Sequence, residues 1–423
     1  MKLRNTTAPF LIAALAFAAS AQAQFRAPAA TGTFEEPPTL DATAILRPEY
    51  QRGPNFTVRQ PVLTYAGQNE YTIDSDFGIF EATGNTQLVQ RVQEIAAIAK
   101  VREVSRSDEY KKALAEAAKS PLLMAKNLAT DPVKTVSGVP KGIWKFMNRA
   151  GQSIKEAGEK RERNPYEDGA GADAVGFSKA KRELALKLGV DPYSSNPTLQ
   201  KDLNGISWAS FAGNLTVTLA LAPVGGGAGA ALTGLNVSTA AEDALRDSSP
   251  SDLRRASLGK LLAMDVPRED AVAFLNATAY SPTNQTLLVE ALAELRGASG
   301  RDEYVRLATE ATDETDAIFF RRCAQLMAQV HRERPLAIVS ADRNLPVCLA
   351  QDGTVVVPLE WDYACWTQRA SQFLATLKGG DFGGRKITGY HVLLTGVASP
   401  KVREELAAAG VRLTEKALPG PLQ

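Results

Sequence analysis

The chain has 423 residues, 44% of them hydrophobic and 22% charged, a composition typical of a globular protein rather than of a disordered chain or a collagen-like fibre. Its 48 basic and 47 acidic side chains nearly cancel, which argues against binding to nucleic acid. With two histidines and three cysteines, the sequence excludes a multi-finger zinc protein and a disulfide-dense scaffold.

The first 23 residues have the pattern of a secretory signal peptide. Two basic residues precede a short apolar stretch over 9–18, and Ala21-Gln22-Ala23 fits the small-x-small cleavage rule. The apolar stretch is too short and too rich in alanine to make a good membrane span. We therefore expect cleavage after Ala23 and a periplasmic or secreted mature protein of about 400 residues, which is long enough for two or three domains.

The sequence predicts an α+β fold, with predominantly helical N-terminal and middle regions and a small C-terminal α/β domain. Changes in composition and periodicity divide it into six parts: a signal peptide (1–23), an extended mobile arm rich in proline (24–60), a hairpin plus helical region with a basic amphipathic segment (61–163), a linker (164–176), a helical domain (177–334) and a small α/β domain (335–423).

Local signals place individual elements within these parts. Apolar residues at three- and four-residue steps predict a helix over 89–118, and the pairs Ser249-Pro250 and Ser281-Pro282 predict helix N-termini. In the last ninety residues, the pattern predicts strands over 336–340, 347–350, 354–359, 387–395 and 411–414, with helices over 362–377 and 400–409.

A basic segment is the first candidate binding site. Residues 134–163 contain eight Lys or Arg and three Glu, a local net charge of +5 in a chain whose total is +1. The candidate membrane- or partner-binding residues, in which aromatic and basic side chains alternate, are Lys141, Trp144, Lys145, Phe146 and Arg149. Such a helix can lie in a membrane interface with its apolar face in the headgroup boundary. The same pattern also fits a helix that packs on its own domain with its lysines solvated.

An uncharged run follows over 203–241, and it permits three interpretations. The alternation over 215–221 fits a strand, whereas the window 206–224 fits a buried helix rich in alanine and leucine. A membrane-inserting hairpin is the third, although its Ser, Asn and Thr residues lower its hydrophobicity.

The sequence contains no G-x-S-x-G elbow, H-E-x-x-H or C-x-x-C motif. The weak catalytic candidates are Glu360, Asp362 and His391, which could share a pocket in the C-terminal domain. Export permits disulfides, so Cys348 and Cys365 are a candidate pair, with two buried thiols as the alternative. We predict no metal site and no cofactor.

The sequence therefore favours an exported, non-enzymatic envelope protein that binds a protein partner or an anionic membrane surface through the basic segment. The alternative is a hydrolase-like enzyme with its pocket around the three candidate residues of the C-terminal domain.

Overall fold

The computed structural model describes residues 34–117, 176–213, 238–342, 345–380, 382 and 384–423. Within these ranges the chain has the predicted mixed α+β character, with helices and three β-sheets. No helix in the described ranges is both long enough and apolar enough to cross a membrane.

The N-terminal sheet is antiparallel, in the order β1-β4-β5-β3-β2, and β6 pairs with the other edge of β5. Its strands are β1 (Thr39–Leu40), β2 (Arg52–Gly53), β3 (Phe56–Val58), β4 (Val62–Tyr65), β5 (Gln68–Ser75) and β6 (Gly78–Thr83). Two short helices, α1 (Ala42–Ile45) and α2 (Pro48–Gln51), precede β2.

The predicted extended arm over 24–60 differs from the structure, which describes this range from Phe34 onward. Residues 39–58 contain strands and helices, and the side chains of Leu46 and Tyr50 are buried. Both pack in the core formed by the N-terminal sheet and the helix that follows it, and Leu46 also forms an antiparallel bridge with the remote Leu422. The prolines alone could not indicate that contact.

The helix predicted over 89–118 is divided in two at residues 106 and 107. Ten helices make up the middle of the described chain. They are α3 (Asn85–Ser105), α4 (Asp108–Ala117), α5 (Phe177–Lys187), α6 (Pro197–Gly213), α7 (Thr239–Asp247), α8 (Pro250–Ala263), α9 (Arg268–Asn276), α10 (Pro282–Glu294), α11 (Arg301–Thr309) and α12 (Glu314–Glu333). The predicted serine caps are confirmed: Ser249 Oγ accepts from the Asp252 amide at 3.2 Å, and Ser281 Oγ accepts from the Asn284 amide at 3.1 Å. Of the uncharged run, residues up to 213 are helical; 214–237 lie outside the described ranges.

The C-terminal sheet has the order β13-β11-β9-β8-β7 and positions most of the residues discussed below. Its strands are β7 (Leu336–Asp342), β8 (Leu345–Ala350), β9 (Thr354–Leu359), β11 (Gly389–Leu394) and β13 (Val411–Thr414), while β10 (Tyr363–Ala364) pairs with β12 (Val397–Ala398). β9, β11 and β13 are parallel, and the connections between them contain α13 (Gln368–Gly379) and α14 (Pro400–Ala408).

Alternate side chains of this sheet belong to two different cores. Cys348, Val356 and Leu393 lie in the core formed with α12, whereas Val357 and Val392 lie in the core that contains residues of α13 and α14. The helix predicted over 362–377 begins only at Gln368, after Thr367 as its N-cap. The preceding residues are held elsewhere, because the amides of Asp362 and Tyr363 both donate to the carbonyl oxygen of Gly67.

Candidate functional site

The first candidate residue, Asp362, caps a helix from the other end of the chain. Its carboxylate accepts hydrogen bonds from the backbone amides of Asn69, at 2.8 Å, and Asn85, at 3.0 Å. Asn85 is the first residue of α3, so the carboxylate lies at the helix N-terminus, where unpaired N–H groups need an acceptor. Burial and the neighbouring Glu360 raise the pKa of Asp362 to about 8.

The second candidate, Glu360, is equally enclosed. Thr86 Oγ1 donates to its Oε1 at 2.6 Å, and Arg322 Nε lies 3.4 Å from its Oε2. Both members of this ion pair have side chains that are only 3% exposed. Glu360 therefore links α3 to α12 at the end of β9.

A second group of charges, largely buried, lies farther along α3. Arg91 lies 2.9 Å from Glu94 and 3.3 Å from Glu314, the first residue of α12. Ser195 Oγ donates to Glu314 at 2.6 Å, and Asn196 Nδ2 donates to Glu94 at 2.8 Å. The loop before α6 is thereby tied to α3 and α12.

Arg321 interacts electrostatically with both groups, through Glu360 of the first and Glu314 of the second. Its side chain is fully buried, and burial together with the adjacent Arg322 lowers its pKa to about 9, while Glu360, Asp191 and Glu314 favour the charged form. Asp191, whose pKa burial raises to about 6, accepts from Thr283 Oγ1 at 2.6 Å. These groups together form a polar cluster, whose carboxyl groups belong to Glu94, Asp191, Glu314, Glu360 and Asp362 and whose cations are Arg91, Arg321 and Arg322. Each of its carboxyl groups is compensated by cations or hydrogen-bond donors of the protein itself, as buried polar groups require.

The space beside these carboxylates is small. Glu360, Thr86 and Arg322 line a cavity of about 40 Å³ that residues 419–421 also line. A cavity of this size holds about three water molecules, since one water needs roughly 10–15 Å³ by this measure. The arrangement is suited to fixing the orientation of α3 against α12 and the C-terminal sheet, and it leaves no room for a substrate next to Glu360.

The structure brings Glu360 and Asp362 together, but it places His391 in a different cleft. His391 pairs in register with Val356, four residues before Glu360, which corresponds to about 13 Å along a strand. Its Nε2 lies 2.8 Å from Thr414 Oγ1, and the cleft that it lines contains neither acidic candidate. The three residues predicted to share a pocket therefore do not form one site.

Cys348 and Cys365 are free thiols and do not form the candidate disulfide. Cys348 is buried in the core on the α12 side of the sheet, where its Sγ lies 3.2 Å from Met327 Sδ. Cys365 is half-buried, and its neighbours Ala364 and Trp366 pack in the core on the opposite side. The sheet between the two cores explains why these residues do not meet.

The remaining candidates lie outside the described residues. They are the cleavage site at Ala23 and the binding residues Lys141, Trp144, Lys145, Phe146 and Arg149. Within the described ranges, no group of three or more His, Cys, Asp or Glu residues has the arrangement of a metal site.

Sequence reasoning named Glu360 and Asp362 but missed the charged members of the polar cluster on α3 and α12. Arg321 and Arg322 interrupt the apolar pattern of α12, and Arg91 and Glu94 interrupt that of α3, which is a signal that each helix has a buried polar face. Arg91 and Glu94 are three residues apart, but the contacts between helices could not be deduced, because Glu314 lies 223 residues from Arg91 and Glu360 lies 274 residues from Thr86.

Comparison of the chain with protein-family models, with curated proteins and with solved structures finds no match.

Proposed function

We propose that this protein is exported, that it acts by binding rather than by catalysis, and that its ligand is an anionic membrane surface. The basic segment over 134–163 is the binding element, with Lys141, Trp144, Lys145, Phe146 and Arg149 as its contact residues. The observation that carries the proposal is the local charge of +5, combined with alternating aromatic residues, in a nearly neutral chain.

The described helices on either side of the basic segment are well packed. The chain leaves the described body at the end of α4 and returns at the start of α5, and both helices pack against α6. At the point of return, Phe177 stacks on Trp208 with ring centroids 4.3 Å apart. The described residues that flank 118–175 therefore meet on one helix.

The buried carboxylates also favour binding over catalysis. Glu360 and Asp362 are 2% and 1% exposed, and protein groups occupy the positions from which they could act on a substrate. The hydrolase alternative required these two residues and His391 in one pocket, whereas His391 lines a different cleft.

The test is sedimentation of the mature protein, residues 24–423, with vesicles of phosphatidylglycerol and phosphatidylcholine at several salt concentrations. We expect binding to the anionic vesicles only, and we expect salt to weaken it. The variant K141Q/K145Q/R149Q should partition about 100-fold less, because each basic residue near an anionic surface contributes about 1 kcal/mol.

The matched control is K112Q/K187Q/R268Q, which removes the same charge from exposed positions of α4, α5 and α9. It should bind as the parent protein does. Equal binding by both triple variants would reject the segment as the binding element, and retention on a protein partner without any affinity for vesicles would reject the membrane as its ligand.

A further inference from the structure

A cleft of about 440 Å³ lies where helix α12 ends above strands β11 and β13. The helix packs against β7, β8 and β9 and terminates at Glu333, so the last two strands of the sheet extend beyond its cover. A cleft of this volume is within the range of small-molecule sites.

The alternation of the strands determines which side chains face this cleft. On β11, His391 and Leu393 line it, whereas Val392 and Leu394 belong to the core on the opposite side. In the parallel register, His391 lies beside Arg412 and Leu393 beside Thr414. The floor of the cleft is therefore made of one histidine, one leucine and one threonine, with His391 only 8% exposed.

The rim of the cleft is predominantly positive. Arg334 at the end of α12, Arg412 on β13 and Lys416 after it line the cleft, and Glu333 is the acidic residue that lines it. The formal balance of these four side chains is +2. Arg334 also pairs with Asp352, at 3.2 Å, but that carboxylate is half-exposed and lies outside the cleft lining.

The positive environment affects the pKa of His391. Burial lowers its pKa to about 4, and Arg412 and Arg334 contribute in the same direction. The imidazole is therefore neutral at pH 7, with Nε2 at hydrogen-bond distance from Thr414 Oγ1. Two guanidinium groups thus act on a buried polar group while the cleft around it remains open.

We propose that this cleft binds a small organic oxyanion, a phosphate or carboxylate compound, between Arg334 and Arg412. Guanidinium groups are the side chains best suited to such ligands, because their planar donors match both phosphate and carboxylate oxygens. The Thr414 hydroxyl and the Gln329 amide, which also lines the cleft, supply the neutral groups that a bound anion needs. This inference is independent of membrane binding by the basic segment.

The test follows His391 by NMR in the full mature chain labelled on histidine. The chain contains two histidines, so the variant H331N assigns both signals. Inorganic phosphate and citrate are the probes, and sodium chloride of equal ionic strength is the reference. We expect a saturable shift of the His391 signal and a rise of its pKa by about one unit, because a bound anion offsets the two arginines. The probe that saturates at lower concentration identifies the preferred oxyanion.

Three variants make the test specific. R412Q should weaken binding at least tenfold, E333Q should strengthen it severalfold by removing the acidic group, and R369Q, at an exposed position on α13, should leave it unchanged. The His331 signal checks that each variant is folded. An R412Q protein that binds as tightly as the parent, or a His391 signal that responds to phosphate and citrate no more than to chloride, would overturn the proposal.

Discussion

Asp362 has two opposing effects on the native state. Its carboxylate caps α3 and accepts two backbone hydrogen bonds, yet burial and Glu360 raise its pKa to about 8. A carboxyl group whose pKa is higher in the folded chain than in the unfolded chain, about 3.9, binds its proton more tightly in the folded state. Its contribution to stability is therefore fully present below about pH 4 and decreases as the pH rises to about 8.

This sign leads to a prediction for D362N, which cannot ionise. The free energy of unfolding of the parent protein, minus that of D362N, should fall by about 1 kcal/mol per pH unit between pH 4 and pH 8. Chemical denaturation at intervals of one pH unit measures both profiles. Taking the difference cancels the titrating groups that do not interact with Asp362, including Asp191, whose pKa is also raised. Parallel profiles would show that Asp362 is ionised throughout this range.

At the scale of elements, local rules worked where the partner of a residue is close in sequence. The serine caps of α8 and α10 were predicted because each serine hydroxyl accepts a hydrogen bond from an amide only three residues later. The start of α13 was predicted too early, since Asp362 and Tyr363 bond to Gly67, nearly three hundred residues away. The separation of His391 from Glu360 depends on strand register, which alternation of side chains does not determine.

The caps give a prediction at this scale. The variant S281A should lower the free energy of unfolding by about 1–2 kcal/mol, because Ser281 is buried and the Asn284 amide would lose its acceptor. S281T keeps the hydroxyl and serves as the control, with most of the stability retained. Urea denaturation measures both, and equal destabilisation by the two variants would mean that packing around Ser281, rather than capping, is what matters.

At the scale of the whole molecule, the two ends of the described chain are fastened together. Gln423 donates through its amide to the carbonyl oxygen of Ile45, and Leu422 pairs with Leu46. Glu35 accepts from Ser399 Oγ at 2.5 Å and from the Trp366 amide at 2.6 Å. The predicted domain ranges treated the first and last parts as separate, and none of these contacts has a signal in the local sequence.

Removal of residues 419–423 should therefore loosen the N-terminal helices. We expect hydrogen exchange of the Leu46 amide, which is bonded to Ala42, to accelerate at least tenfold, since the bridge and the cover over this core are lost. Amides of α11, which lies in a different core with Leu307, should keep their protection and provide the internal reference. Unchanged protection at Leu46 would show that α1 and α2 are stable without the C-terminal residues.

The contacts between the two ends also affect the order of folding during synthesis, because they can form only after the C-terminal residues have been made. Leu46 and Gln423 are bonded across 377 residues, and ribosomes add roughly 5–20 residues per second, so about 20–75 s pass between the synthesis of these two partners. During that interval the bridge between Leu46 and Leu422 cannot form. The N-terminal part of this protein is thus begun first in synthesis, and it is finished only after the C-terminal sheet has been made.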